Sequence, residues 1–202
     1  MAPDSTGSKP LPKSFTHPPI RLARDTLGSE LIDSFAQPDM KRMRAYRLGR
    51  LREQLKKRDY CGALFYDPIN IRYATGSRNM QVWTTHNPAR YCYVPTDGPI
   101  TLFDFHNCEH LADGIETIAE VRPAKAWYFF AAAENGEKRA KAWGDELADV
   151  IAKSAGGNKR LAVDRLDPMG VHALEKHGYT IHDGQECSEL AASSNRRMRS
   201  PA

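Results

Sequence analysis

The feature that most constrains this chain is a turn. The stretch 95-PTDGP-99 places Asp97-Gly98 between two short apolar runs, 89-ARYCYV-94 and 100-ITLFDF-105. Asp-Gly flanked by apolar segments is a strong hairpin signal, because the turn favoured by strand twist needs positive φ, which Gly and Asp tolerate. An antiparallel pair is therefore fixed near the middle of the chain. Around it, other segments alternate between helical and strand periods. Asp39 is a candidate N-cap for a helix that Met43, Leu48, Leu51 and Leu55 carry to about Asp59, and 61-CGALFY-66 follows as an uncharged buried strand. Asp67-Pro68 turns the chain into a brief helical turn over 69–76, closed by Gly76.

Beyond the hairpin, a polar helical stretch is expected over 107–113, a strand over 117–122, and a loop from Trp127 to Asn135. A long helix over 137–154 then presents Ala140, Trp143, Leu147 and Ile151 on one face and stops at Gly156-Gly157. Strand 160–164, a helix over 168–178 begun by Pro168 and closed by Gly178, and strand 179–183 complete the pattern. Helices alternating with short strands specify an α/β architecture, and the hairpin makes its sheet mixed and mostly parallel, flanked by helices. Residues 1–38, rich in Pro and Ser with a weak helical patch at 27–37, read as a flexible N-terminal arm; 39–190 form the domain and 191–202 a tail.

Composition excludes several function classes. The longest apolar run, 126-AWYFFAAA-133, is far short of the roughly 20 residues that span a bilayer, and the first 20 residues hold five prolines and no apolar core of a signal peptide. Four scattered cysteines without a CxxC pair fit reduced thiols, so the expected location is the cytoplasm. Charge is uneven. Residues 40–58 contain nine Lys or Arg against Glu53 alone, a local +8 within a chain of net +4, which leaves −4 elsewhere. Such a helix suits either a solvated face or a stand-alone binding module for nucleic acid or an acidic partner; without interleaved aromatics, nucleic acid is the weaker choice.

Motifs for catalysis are sparse. No GxxxxGK[ST], GxGxxG or GxSxG occurs. The stretch 106-HNCEH-110 fits H-x-x-E-H, so a small zinc hydrolase using His106 and His110 as ligands and Glu109 as base is one alternative. It needs a third ligand and a longer helix than the sequence offers before Asp113-Gly114. His172, His177 and His182, spaced by five, suit neither one helical face nor a chelate. The polar stretch 77-SRNMQVWTTHNPARY-91 is the better binding candidate: Arg78 and Arg90 can fork onto a carboxylate, Trp83 can cover a cation, and His86 and Asn87 add polar contacts.

Taken in order, 62-GALFYDPINIRYATG-76, 89-ARYCYVPTDGPITLFD-104 and 161-LAVDRLDPMGVHALEKHGYTIHDGQE-186 resemble the creatinase-type N-terminal domain. That domain precedes the pita-bread catalytic domain of creatinases and Xaa-Pro peptidases. The segment around NIRYATGSRNMQVWTTHNPARY is most similar to the metal-dependent dimethylsulfoniopropionate lyases. The resemblance covers roughly residues 40–190 and implies a division of labour. Two divalent metals, held by two Asp, one His and two Glu, belong to a catalytic domain expected after 183-DGQE-186, whereas here 193-SSNRRMRSPA-202 follows. It also implies a chain without its own metal or catalytic residues, not active alone. Its expected partners are a second copy or a catalytic domain, with a small zwitterionic or peptide substrate in the parent enzyme. Arg78, Trp83, His86, Asn87 and Arg90 would then form the substrate rim.

Overall fold

The computed structural model describes residues 39–79 and 87–193. The N-terminal arm with its helical patch, and the tail from 194, lie outside the described residues.

Helix α1 (Met40–Lys57) starts where the sequence places it, because the Asp39 carboxylate accepts the Arg42 amide at 2.9 Å. Strand β1 (Gly62–Phe65) follows, then α2 (Pro68–Thr75), which is N-capped by Asp67 and opened by Pro68. Gly76 ends α2 in the left-handed region at φ 83°, its amide returning to the Arg72 carbonyl at 2.8 Å. A Cβ there would run into the Arg44 side chain, so the position needs glycine on two grounds. The hairpin is present as β2 (Tyr91–Pro95) and β3 (Ile100–Asp104), paired Tyr91 to Phe103 and Tyr93 to Thr101.

Strand β4 (Ile118–Pro123) comes next. The expected loop 127–135 contains a one-turn helix, α3 (Phe129–Ala132), ahead of α4 (Gly136–Ala152). Strand β5 (Arg160–Val163), helix α5 (Pro168–Glu175), strand β6 (Thr180–Asp183) and helix α6 (Gln185–Ser193) finish the domain. Helix α6 begins within the expected last structured stretch and runs beyond residue 190. The polar stretch 107–113 corrects the sequence expectation. Asn107 adopts φ 66°, which breaks the helical path, and only a 3₁₀ turn over Glu109–Ala112 forms.

The six strands lie in the order β4-β3-β2-β1-β5-β6. Pairs β1/β5, β5/β6 and β3/β4 are parallel, while β1/β2 and β2/β3 are antiparallel. Five strands therefore run one way and β2 alone runs the other. Side chains alternate across the sheet into two cores. Leu64, Tyr91, Tyr93, Phe103, Leu161 and Val163 face α4 and α5, packing on Trp143, Leu147, Ile151 and Leu174. Ala63, Phe65, Cys92, Val94, Leu102 and Ala162 face α1, α2 and α6, packing on Leu51, Leu55, Ile71 and Cys187. Each large apolar side chain so buried contributes roughly 1.5–3 kcal/mol. The result is an α/β/α sandwich with a mixed, mostly parallel sheet.

Candidate functional site

Because only β2 is reversed, one end of the sheet collects the carboxyl ends of β1, β3, β4, β5 and β6 and the amino end of β2. In open α/β sheets this is the end where ligands bind, since loops there are free of the packing that fixes the strands. Residues 77–79 and 87–90, the turn after β1, Asp104, the α3 region and the loop after β5 all meet this end.

Two carboxylates organise it, one buried and one half-buried. Asp104, at the last position of β3, is 0% exposed and Arg90, just before β2, is 1% exposed. Arg90 Nε donates to Asp104 Oδ2 at 2.9 Å, while Asn79 Nδ2 at 2.7 Å and the Phe105 amide at 2.8 Å donate to Oδ1. Arg90 Nη2 also donates to Ser77 Oγ at 2.7 Å, and the Ser77 amide donates to Thr75 Oγ1 at 3.0 Å. The segment thus leaves α2 and returns to β2 on one carboxylate. A charge pair this deep holds its place only because every partner is supplied. Asp164, just past β5, does the same for the next turn: it accepts the amides of Tyr66 at 2.8 Å and Asp67 at 3.0 Å, and Asn70 Nδ2 at 3.0 Å. Burial pushes its carboxyl above the ordinary value, and the three donors pull against that shift.

The rim candidates separate on this frame. Arg78 is exposed, held between the buried anchors Ser77 and Asn79. Arg90 turns inward and is committed to Asp104 and Ser77. Asn87 is buried, and its Nδ2 has no hydrogen-bond partner among the described residues. Trp83 and His86 lie outside the described residues. Asp104, Asn79 and Ser77 escaped the sequence reading. The available signal was Asp104 itself, an acid at the end of an apolar strand, where an unpaired charge is rarely tolerated.

The H-x-x-E-H alternative does not assemble. His106 precedes the break at Asn107, His106 and His110 are both exposed, and Glu109 begins a 3₁₀ turn, so the pattern never lies on one α-helical face. Among the described residues no group of three or more His, Cys, Asp or Glu could hold a metal ion. The described residues therefore do not fit a metal centre of the kind the resemblance places in the catalytic domain. Of the remaining histidines, His177 Nε2 lies 3.0 Å from Asp145 Oδ1 and His182 stacks on Tyr60.

The basic helix is partly used up internally. Arg44 makes a bidentate pair with Glu116, Lys56 meets Asp97 at 2.9 Å, and Arg58 holds Glu186 and the Gln54 carbonyl. Arg52 donates to the Pro95 and Gly98 carbonyls, tying α1 to the hairpin. These cations brace the domain. Among the described residues, no helix is long and apolar enough to cross a membrane.

A mixed α/β/α sandwich with a long, buried-anchored connection at its carboxyl end defines the class: the chain belongs to the creatinase/prolidase N-terminal domain family, whose model matches residues 47–189. Two relatives share it in sequence. The dimethylsulfoniopropionate lyase DddP of Roseovarius nubinhibens is 40% identical over 171 residues, 85% of this chain and 38% of that protein. The lyase of the same name from Roseobacter denitrificans is 36% identical over 156 residues, 77% of this chain and 35% of that protein. The chain thus spans under two-fifths of the length of these relatives. Among solved structures, the N-terminal domain of the cytoplasmic peptidase PepQ from Mycobacterium tuberculosis superposes with a TM-score of 0.49 at 19% identity, covering 72% of this chain and 97% of that one. A prolidase from Thermococcus sibiricus gives 0.49 at 21% identity, covering 75% of this chain and 36% of that one.

Proposed function

We propose that this chain serves as the non-catalytic N-terminal domain of a dimethylsulfoniopropionate lyase-type metalloenzyme, supplying a substrate rim and a dimer contact while the metals and the chemistry reside elsewhere. The observation that carries the reading is the 40% identity to a DddP lyase along 85% of the chain. The carboxyl-end frame supports it physically. Asp104, Arg90, Asn79 and Ser77 fix both feet of the segment 77–90 and leave Arg78 outward, where a guanidinium can fork onto a substrate carboxylate. Trp83, His86 and Asn87, on the same segment, complete the proposed rim, and Arg90 holds its return.

The test is a paired measurement on purified protein. Bound metal is quantified by elemental analysis, and dimethyl sulfide release and Xaa-Pro cleavage are assayed with added Zn²⁺, Fe²⁺ or Mn²⁺. The expected result is no stoichiometric metal and no turnover by the chain alone. Stoichiometric metal that is lost in a His106→Ala/His110→Ala variant would overturn the reading and return the chemistry to HNCEH.

A further inference from the structure

Helices α1, α2 and α5 are each capped by an acid, Asp39, Asp67 and Asp167, whose carboxylate accepts an amide of the first turn. Helix α4 is different. Its N-cap is Asn135, exposed, at φ −91° and ψ 16°, and its side chain makes no capping hydrogen bond. The carboxamide is left uncommitted to the helix, directly before Gly136. Packing selects glycine there, since a Cβ would stand 3.2 Å from the Trp127 carbonyl oxygen and 3.6 Å from the Met169 side chain. The segment in front of this step is loosely held. From Phe129 to Asn135 only Ala132 is buried, and Ala133 takes φ 46° and ψ −126°, a region that a residue with a Cβ occupies only under strain. Few buried contacts and a strained residue favour local opening.

The other described asparagines lack this combination. Asn70 and Asn79 donate to Asp164 and Asp104, and Asn158 donates to Asp59. Asn87 is buried and precedes Pro88, which carries no amide hydrogen. Asn107 precedes Cys108, which has a side chain and whose amide donates to the Phe105 carbonyl at 2.9 Å. Asn195, which precedes Arg196, lies outside the described residues. No other Asn-Gly step occurs in the sequence.

We propose that Asn135 is a self-modification site, converted to aspartate and isoaspartate by the chain's own next amide. The Gly136 amide nitrogen gives its proton to hydroxide and attacks Asn135 Cγ. The N–Cγ bond forms, the Cγ–Nδ2 bond breaks, and the amino group leaves as ammonia with a proton taken from water. Water then opens the cyclic imide. Cleavage at Cγ yields aspartate, and cleavage at the Asn135 main-chain carbonyl yields isoaspartate, in which the chain runs through Cγ. Nothing is oxidised or reduced. With no Cβ on Gly136, nothing crowds the approach of its nitrogen, and local opening lets Asn135 leave ψ 16°. Both products place a new negative charge at the amino end of α4, where the helix dipole favours it. Aspartate can cap α4 as Asp39, Asp67 and Asp167 cap their helices, whereas isoaspartate adds one main-chain carbon between α3 and α4. The surface beside the carboxyl end of the sheet therefore changes charge and backbone length in one direction as the protein ages.

The test is incubation of the full chain at neutral and at mildly alkaline pH, sampled over time by peptide mass spectrometry. Isoaspartate is scored by methyl transfer from S-adenosylmethionine with an isoaspartyl methyltransferase. Asp97–Gly98, Asp113–Gly114 and Asp183–Gly184 can form isoaspartate only without a change of mass, so the mass change isolates asparagine. A synthetic peptide spanning residues 131–140 reports the rate without the fold. Asn135 should convert roughly tenfold or more faster than any other asparagine in the folded chain, and faster at the higher pH. Asn135→Gln should abolish the signal at this position, and Gly136→Ala, confirmed as folded by circular dichroism, should slow it roughly tenfold. An Asn135 that stays intact while the peptide converts overturns the proposal, because α4 would then hold the step closed. Equal conversion at Asn107 or Asn158 overturns it as well, because the uncapped Asn-Gly step would then confer no selectivity.

Discussion

The buried pair at the carboxyl end supports a quantitative expectation. In Arg90→Met the aliphatic stem is largely kept, but the guanidinium is removed from a site that is 1% exposed. Asp104, 0% exposed, then keeps only the Asn79 side chain and the Phe105 amide, and Ser77 Oγ loses its donor. Removing one partner of a buried pair costs about 3–5 kcal/mol, because the remaining charge stays out of water without compensation. Against a domain stability of about 5–15 kcal/mol, that is a large fraction. The contrast is Arg44–Glu116, whose side chains are 18% and 31% exposed; water screens that pair, and Glu116→Gln should cost about 1 kcal/mol or less. Replacing both members, Arg90→Met/Asp104→Leu, removes the stranded charge as well as the pair. It should lose less than Arg90→Met alone, retaining only the roughly 1–3 kcal/mol penalty of an unpaired Asn79 or Ser77. Urea denaturation followed by circular dichroism measures all three. An Arg90→Met protein within about 1 kcal/mol of wild type would refute the reasoning, because it would mean that water reaches Asp104.

Two further expectations concern titrating groups. The Asp164 carboxyl is raised above its ordinary 3.8 by burial, so the folded state holds its proton longer than the unfolded chain. Its favourable contribution is full below that ordinary value and is lost as pH rises through the raised one. The stability of wild type relative to Asp164→Asn should therefore fall as pH rises across the acid range; a difference that grows with pH would show that the three amide donors outweigh desolvation. Among the thiols, burial raises Cys61 to about 11 and pushes up Cys92 and Cys187, whereas Cys108 is only half-buried. Iodoacetamide at neutral pH should label Cys108 first in the native protein, and equal labelling of Cys61 by peptide mass spectrometry would contradict this account.

The sheet was legible because its signals are local. Asp97-Gly98 specifies the hairpin, Asp39, Asp67 and Asp167 each precede a helix that their side chains cap, and Trp143, Leu147 and Ile151 carry a helical period. What escaped depends on contacts distant in sequence. Helix α3 is one turn long, too short for periodicity to register, and its two Phe look like core residues in a list of letters although they stand in water. The HNCEH pattern looked chemical, but the backbone at Asn107 decides against it, and no five-residue window reveals a φ of 66°. Arg90 is a rim candidate in the sequence because it lies in a polar stretch, and the structure shows it turned inward. Its partner Asp104 is 14 residues away, across a strand pair whose register had first to be known.

The reversed strand explains why the long connection lies at this end. A hairpin between β1 and β2 needs only a two-residue turn, and at the opposite end β2 and β3 are joined by just the four residues 96–99. The connection from Tyr66 to Arg90 uses 25 residues, although it begins and ends at the same edge of neighbouring antiparallel strands. Eight of these belong to helix α2, and the remaining stretch 76–90 is still long for a compact domain, where most connections run about 4–6 residues. Here the excess length is matched by an unusual fixture, a buried Arg–Asp pair with both foot-residues of the segment on one carboxylate. A hydrophobic pair of similar volume would serve stability as well or better, so the ionic anchor is better understood as setting where the segment leaves and returns. On that reasoning Arg90→Met/Asp104→Leu should restore much of the stability lost in Arg90→Met without restoring the geometry of the segment's feet. Hydrogen exchange at Ser77, Arg78 and Asn79 would separate the two. Amides there that stay as protected as in wild type, in a well-folded double variant, would leave the pair with no positional role.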